Sequence, residues 1–111
     1  MQDLIKKIRD ESGSDTREKL GIIGDSINQQ ILDYLLKKEK AFFNQMSRDL
    51  SERKIVSRRT LYGRLMEMEN AGILVSDMVP LSYGEKHIQR WVKEYHISKK
   101  DLSWIREVLS S

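Results

Sequence analysis

The segment SRRTLYGRLMEMENAGIL, residues 57–74, decides how the rest of the chain can fold. Its apolar side chains recur at the helical spacing i, i+4 and i+7, at Leu61, Leu65 and Met68. Ser57 suits the N-cap, because its hydroxyl can accept a hydrogen bond from an unpaired N–H of the first turn. Gly72 suits the end, since glycine adopts a positive φ without strain. The segment therefore predicts a short helix with one buried face.

Basic residues gather near the start of this predicted helix, away from its apolar stripe. Residues 53–64 contain five basic side chains and no acid, and Tyr62 lies among them. A short helix with its back in a core and arginines near its N-terminus suits insertion into the major groove of DNA. The pattern predicts DNA contact through Arg58, Arg59 and Arg64, and a solvated basic helix face is the alternative.

The composition indicates a small, charged, helix-rich protein. Its 111 residues are 33% charged and 39% hydrophobic with a net charge of +3, so we expect one domain with a modest core. The absence of cysteine excludes disulfides and thiolate metal sites and agrees with a reducing cytoplasm. No apolar run reaches the roughly 18 residues of a membrane span, and the first residues lack the apolar region of a signal peptide. We expect a cytoplasmic protein with no membrane partner.

Residues 2–11 predict a short amphipathic helix with Leu4, Ile5 and Ile8 on one face. An isolated helix needs roughly 12–15 residues to be stable in water, so this one must dock on its own domain or on a second subunit. Residues 12–15 predict a flexible break, followed by a short turn through Leu20.

Three further segments predict the support for the central helix. Residues 25–38 have a broad apolar face with lysines at the C-terminal end, as an amphipathic helix does. Residues 41–43 are a short apolar run that is typical of a strand. Residues 44–53 predict the positioning helix of a helix-turn-helix pair, and residues 54–56 connect it to the central helix.

The hydrophobic period changes after Gly72. Residues 73–79 are rich in branched aliphatic side chains and predict a strand, and residues 87–97 predict a second one. The intervening PLSYGEK, residues 80–86, has the composition of a turn. The two strands form a β-hairpin, or wing, whose loop carries Tyr83 and Lys86. Lys86 is a candidate phosphate contact, and an ordinary solvated hairpin is the alternative.

Residues 98–101 fit a capping box and predict a final helix. The apolar face of this helix is wider than packing against the rest of a small domain requires, so we expect a second copy of the chain to pack on it. The face consists of Leu102, Trp104, Ile105, Val108 and Leu109.

No motif predicts catalysis, a cofactor, a metal or a small-molecule ligand. His87 and His96 have opposite parity on one strand and cannot share a metal there. The carboxylates are scattered among lysines at the ordinary spacing of a helix surface, which is typical of solvated ion pairs. We therefore expect a binding protein and not an enzyme.

The order of elements around VSRRTLYGRLMEMENAGIL resembles the winged helix-turn-helix repressors of bacteria and archaea. Their reading helix commonly carries a Ser, a Thr, a Leu–x–x–Leu spacing and A-G-[IL]-[ILV], which correspond here to Ser57, Thr60, Leu65, Met68 and AGIL at residues 71–74. Residues 19–35 look like the first core helix of the ArsR-like branch, whereas residues 42–46 look more like the HxlR/PadR-like branch. The resemblance covers residues 19–98 and leaves both branches open.

The resemblance implies base-facing positions at Arg58, Arg59, Tyr62, Gly63 and Arg64, with the wing tip at residues 82–86. It also implies dimerisation through the terminal helices, which would use Leu4, Ile5 and Ile8 at one end. The lack of cysteine departs from the thiol-based metal and redox sensors of these families, so neither mode of sensing is supported.

We therefore expect a mostly α-helical α+β fold, a winged helix-turn-helix with additional terminal helices. Residues 1–14 would form the N-terminal helix and break, residues 15–97 the DNA-binding domain, and residues 98–111 a dimerisation helix. The expected function is a homodimeric transcription regulator, a repressor, that binds double-stranded DNA with residues 57–71 as recognition helix and 80–87 as wing. The expected contacts are Ser57, Arg58, Arg59, Thr60, Tyr62, Gly63, Arg64, Tyr83 and Lys86. Two alternatives stay open, a winged-helix module for protein assembly without specific DNA binding, and RNA in place of DNA.

Overall fold

A computed structural model of the chain describes residues 14–83 and 88–110. The predicted helix with Leu4, Ile5 and Ile8 therefore lies outside the described residues, as does Lys86. The elements in chain order are α1 (Ser14–Ile23), α2 (Ser26–Lys38), β1 (Ala41–Phe42), α3 (Phe43–Glu52), α4 (Arg58–Asn70), β2 (Leu74–Tyr83), β3 (Ile88–Ile97) and α5 (Lys99–Ser110).

Helix α4 begins and ends where the sequence predicts. The Thr60 N–H donates to the Ser57 hydroxyl over 3.2 Å, which confirms the N-cap. At the other end Gly72 has φ +80°, and the N–H groups of Gly72 and Ile73 donate to the carbonyls of Glu69 and Met68. These two bonds form a Schellman motif, which satisfies carbonyls that a helix end otherwise leaves unpaired.

The apolar stripe of α4 lies at the centre of the core. Leu61, Leu65 and Met68 have no exposed surface, which confirms their predicted burial. Buried side chains of α2, α3 and the sheet complete the core cluster: Ile31, Leu32, Leu35, Met46, Leu50, Leu74, Tyr95 and Ile97. Helix α4 is therefore held by its back, and its other side is left to solvent.

A hydrogen bond fixes α3 relative to α2. The Tyr34 hydroxyl donates to the Asp49 carboxylate over 2.6 Å. Burial of the phenol, together with this carboxylate, raises the pKa of Tyr34 to about 12, and the hydroxyl stays protonated as a donor over the ordinary pH range. The same bond lowers the pKa of Asp49.

The three strands form an antiparallel sheet in the order β1-β3-β2. Strand β1 confirms the predicted strand at residues 41–43, although it is two residues long. The pairing of β2 with β3 runs from Leu74 opposite Ile97 to Tyr83 opposite Ile88. The prediction of a turn from residue 80 was therefore wrong for residues 80–83, which continue the strand. Pro80 is tolerated because β2 is an edge strand, where a residue without an N–H donor can face away from its neighbour.

The two terminal helices of the described chain also differ from expectation. Helix α1 is a full helix from Ser14, although residues 12–15 were predicted to be a break and only a short turn was expected after them. Asp101 does not complete the predicted capping box. Its carboxylate accepts from Lys19 and Trp104, and the Ser98 N–H donates instead to the Ile73 carbonyl.

After α1, the order of three helices (α2, α3 and α4), a long hairpin and a final helix is that of a winged helix-turn-helix, the α+β fold that the sequence predicts. Helices α3 and α4 are the helix-turn-helix pair, and β2 with β3 is the wing. None of the helices within the described ranges is long and apolar enough to cross a membrane.

Candidate nucleic-acid interface

The outer face of α4 is exposed over its first two turns. Arg58, Arg59, Tyr62 and Gly63 are all exposed, whereas Leu61 between them is buried. Since a helix turns about 100° per residue, residues 58, 59, 62 and 63 share one side. The sequence thus places four of the predicted contact residues together on one solvent-facing surface.

Arg59 and Gly63 are the most open positions of this face. With the residues that the structure describes, the Arg59 guanidinium makes no hydrogen bond or ion pair. A Cβ placed on Gly63 would meet nothing within 4 Å, so packing inside the protein does not require glycine there. The backbone at Gly63 is consequently free to approach a ligand closely.

Arg58 is held by the start of α3. Its Nη2 donates to the Asn44 Oδ1 over 3.0 Å, and its Cζ lies 4.8 Å from the centroid of the Phe43 ring. The Phe43 ring also meets Tyr62 edge to face, with centroids 6.0 Å apart. Phe43 and Asn44 therefore orient two of the predicted contact residues. Sequence reasoning missed this role, because it assigned Phe43 to the short strand at residues 41–43 and Asn44 only to the positioning helix.

Arg64 is placed differently from the expectation. Its Nη1 lies 2.9 Å from the Asp25 carboxylate, and 27% of its side chain is exposed. Asp25 is the N-cap of α2 and accepts from the Ile27 and Asn28 N–H groups. The Asn28 N–H and the Arg64 guanidinium lower the pKa of Asp25, which keeps the carboxylate charged. Arg64 lies six residues after Arg58, about 240° further round the helix, and so faces the body of the protein.

The side chains of Ser57 and Thr60 hydrogen-bond at the N-terminus of α4. Besides accepting from the Thr60 N–H, the Ser57 hydroxyl donates to the Thr60 Oγ1 over 3.0 Å. Both side chains retain exposed surface beside Arg58 and Arg59. Their observed role is structural, and contact with a ligand stays a prediction.

The wing is tied to α4 through Glu69. Its carboxylate accepts from the Ser76 hydroxyl on β2 and, over 3.1 Å, from Lys93 Nζ on β3. The bonds from Ser76 and Lys93 lower the pKa of Glu69. Glu69 thus fixes the base of the wing against the helix that carries Arg58 and Arg59. The Tyr83 side chain and Lys86, which were predicted at the wing tip, lie outside the described side chains.

A groove of about 810 Å³ separates the start of α4 from the wing. Its helix side carries Arg58, Arg59 and Tyr62, and its wing side includes Arg90 and Trp91. Trp91 is 60% exposed. It lies at the same sheet face as Lys93 and Tyr95, as the alternation along β3 dictates. The alternation of side chains along β3 could be read from the sequence. How far the hairpin extends beyond the core could not.

The predicted dimer surface on α5 is partly covered by the chain itself. Ile105 and Val108 are buried in the core of the same chain, because α5 packs against α2. Leu102, Trp104 and Leu109 are half-buried at its edge. Because Ile105 and Val108 are buried within the chain, they give no reason to expect a partner. A subunit contact through Leu102, Trp104 and Leu109 stays a prediction.

A buried ion pair holds α5 to α1. Lys19 Nζ lies 3.0 Å from the Asp101 carboxylate, and both side chains are nearly inaccessible. The Trp104 Nε1 donates to the same carboxylate over 2.8 Å. Asp101, which the sequence predicted as part of a capping box, is thus the acceptor at the centre of this buried network.

A similar fold is found in the solved structure of another protein. No family model matches the sequence, and no curated protein matches it. The structure of the transcriptional regulator homologue protein from Pyrococcus horikoshii OT3 superposes with a TM-score of 0.62. The match covers 81% of this chain and 79% of that chain, at 20% sequence identity. The likeness establishes the shared fold, which agrees with the winged helix-turn-helix derived above.

Proposed function

We propose that this protein is a transcription regulator that binds double-stranded DNA sequence-specifically. Helix α4 enters the major groove, and the wing at residues 80–87 lies against the backbone. The observation that carries the proposal is the solvent-facing side of α4, where Arg58, Arg59, Tyr62 and Gly63 lie together above a buried stripe. Support also comes from the fold, which is shared with a transcriptional regulator homologue.

The proposed contacts differ in role. Arg59 is unpaired among the described residues and is the first candidate for bidentate bonding to guanine. Arg58, held by Asn44 and Phe43, suits a fixed phosphate contact. Arg64 is proposed to position α4 through Asp25 and not to contact DNA, because its guanidinium is already paired. Ser57, Thr60, Tyr83 and Lys86 remain proposed contacts of the helix start and the wing.

We propose that the chain acts as a homodimer, whose two recognition helices address half-sites about 34 Å apart. Residues 1–14 and 98–111 supply the contact, the latter through the half-buried Leu102, Trp104 and Leu109. Repression then follows from occupation of a promoter. The assignment to an ArsR-like or HxlR/PadR-like branch is part of the same proposal.

Selection of duplexes from a random pool tests this function. Enrichment of a palindrome with half-sites one helical turn apart is the expected result, and it would report the target and the symmetry together. Recovery of no preferred sequence, with no affinity that falls as salt rises, would instead favour a protein-assembly module.

A further inference from the structure

The groove between α4 and the wing has an apolar wall that nothing in the described chain covers. Along β3, residues 91, 93, 95 and 97 share one sheet face, on which Tyr95 and Ile97 are buried in the core. The same face continues past the core to Trp91, which is 60% exposed. On β2 it continues from buried Leu74 to Met78, which is 54% exposed. The core-facing side of the sheet thus extends beyond the core and remains open.

The opposite wall presents a second aromatic ring. Tyr62 is 54% exposed on α4 and lines the same groove as Trp91. Its edge-to-face contact with Phe43 restricts the orientation of the ring. A planar group that enters the groove therefore finds an aromatic surface on each side.

The groove is also positively charged. Among the described residues that line it, Arg58, Arg59, Arg90 and Lys93 are cationic and none is acidic. Lys93 is paired with Glu69, and Arg90 alternates to the other face of the sheet. Arg58 bonds to the neutral Asn44, so the guanidinium charges of Arg58 and Arg59 are left without a described carboxylate partner. An occupant of this groove should carry several negative charges.

Aromatic surfaces interleaved with arginines match unpaired nucleotides. Every base has a π-face that can stack on Trp or Tyr, and the backbone offers one negative charge per nucleotide to the arginines. A duplex offers the same charge but keeps its base faces inside its own stack. An acidic peptide offers charge without a regular series of planar groups.

We propose that this groove binds single-stranded nucleic acid, with bases stacked on Trp91 and Tyr62 and phosphates held by Arg58 and Arg59. The site shares Arg58, Arg59 and Tyr62 with the proposed duplex interface, so duplex and single strand compete for it. Stacking on Trp91 and Tyr62 requires unpaired bases and does not rest on sequence-specific duplex binding.

The test compares oligothymidylate dT12 with a twelve-unit abasic deoxyribose phosphate chain, which has the same backbone charge and no bases. Each is labelled, and its affinity for the full-length protein is measured by fluorescence anisotropy. We expect the wild type to bind dT12 at least about tenfold more tightly than the abasic chain. Trp91→Ala and Tyr62→Ala should each lose about 5-fold to 150-fold in affinity for dT12, as removal of a stacking platform does. Their affinity for the abasic chain should stay unchanged.

Val75→Ala is the matched control, because Val75 is 40% exposed on β2 but faces the other side of the sheet. It should keep the preference for dT12, and Trp91→Phe should restore most of the preference that Trp91→Ala loses. A parallel comparison of dU12 with rU12 identifies whether DNA or RNA is the better occupant. Equal affinity for dT12 and the abasic chain, or a preference that survives both alanine substitutions, would overturn the proposal. A protein that binds no specific duplex but keeps the preference for dT12 would refute the proposed function and leave this inference standing.

Discussion

The Arg64 guanidinium is joined to the carboxylate of Asp25, with 2.9 Å between Nη1 and Oδ2, and this pair links helix α4 to the N-cap of α2. Two arginines five residues apart on α4 therefore have different surroundings. Arg59 faces solvent with no described partner, whereas Arg64 faces the body of the protein. Substitution of Arg64 should therefore affect mainly stability, and substitution of Arg59 should affect mainly binding.

Arg64→Ala should lower the stability of the protein slightly, because a partly exposed ion pair contributes little. Asp25→Ala should lower it more, since it removes the same ion pair and also the cap that accepts from the Ile27 and Asn28 N–H groups. Urea unfolding monitored by circular dichroism gives the order. Arg59→Ala is the control and should unfold at the wild-type urea concentration. A larger loss for Arg64→Ala than for Asp25→Ala would show that the cap is unimportant.

Lys19→Met should destabilise the protein by about 3–5 kcal/mol, because it leaves the buried Asp101 carboxylate without its cation. The double variant Lys19→Met/Asp101→Leu removes both charges and should recover part of that loss. Urea unfolding of the two single variants and the double variant yields the coupling free energy. Strictly additive losses would contradict a direct interaction between Lys19 and Asp101.

Gly63→Ala should stabilise the protein by about 1 kcal/mol, since alanine is the better helix former and its Cβ meets no atom. It should at the same time weaken duplex binding, because the methyl group stands on the face that is proposed to approach DNA. Thermal unfolding and a duplex binding assay on the same preparation measure both effects. Gain of stability without loss of affinity would show that the backbone at Gly63 does not approach DNA closely.

Gly72→Ala should have the opposite sign, a loss of about 1–2 kcal/mol, because φ is +80° at this helix end. The comparison with Gly63→Ala holds the chemical change constant and varies only the backbone conformation. Thermal unfolding of both variants side by side is sufficient. Equal shifts in the two variants would contradict the left-handed conformation at Gly72.

The tether from Glu69 to the wing should make stability depend on pH. The pKa of Glu69 is below its usual value of 4.5, because the bonds from Ser76 and Lys93 favour the carboxylate. A group whose folded pKa is lowered contributes stability above its unfolded pKa, and that contribution disappears as the pH falls through the folded pKa. Wild type should therefore exceed Glu69→Gln in stability at pH 7, and the difference should shrink below about pH 4. Urea unfolding at both pH values measures this, and a difference that is constant with pH would contradict the account.

Local features of the sequence were sufficient to predict helix α4. The cap at Ser57, the stripe of Leu61, Leu65 and Met68, and the end at Gly72 are set by neighbours within a few residues. Local signals of the same kind predicted α2, α3, the hairpin and α5, and thus the fold, but not the full length of α1.

Features that depend on distant residues were not predictable in the same way. Arg64 pairs with Asp25, 39 residues earlier, and Asp101 pairs with Lys19, which is 82 residues away. Pro80 continues a strand only because β2 is at the edge of the sheet, which is a property of the assembled topology. Trp91 is exposed because the hairpin extends past the core. Each of these outcomes is decided by tertiary packing and not by local propensity.

The central claim is that the solvent-facing side of α4 meets DNA, and Arg59 tests it most directly. The measurement is the affinity of wild type, Arg59→Ala and Lys37→Ala for a selected duplex over a series of salt concentrations, in which Lys37→Ala removes one charge from the far end of α2. If Arg59 binds a phosphate, Arg59→Ala should lower the slope of log affinity against log salt by about 0.9. If it reads guanine, Arg59→Ala should lose about 1–3 kcal/mol of discrimination at one base pair. Lys37→Ala should behave as wild type. An Arg59→Ala variant with wild-type affinity, salt dependence and sequence preference would contradict the claim.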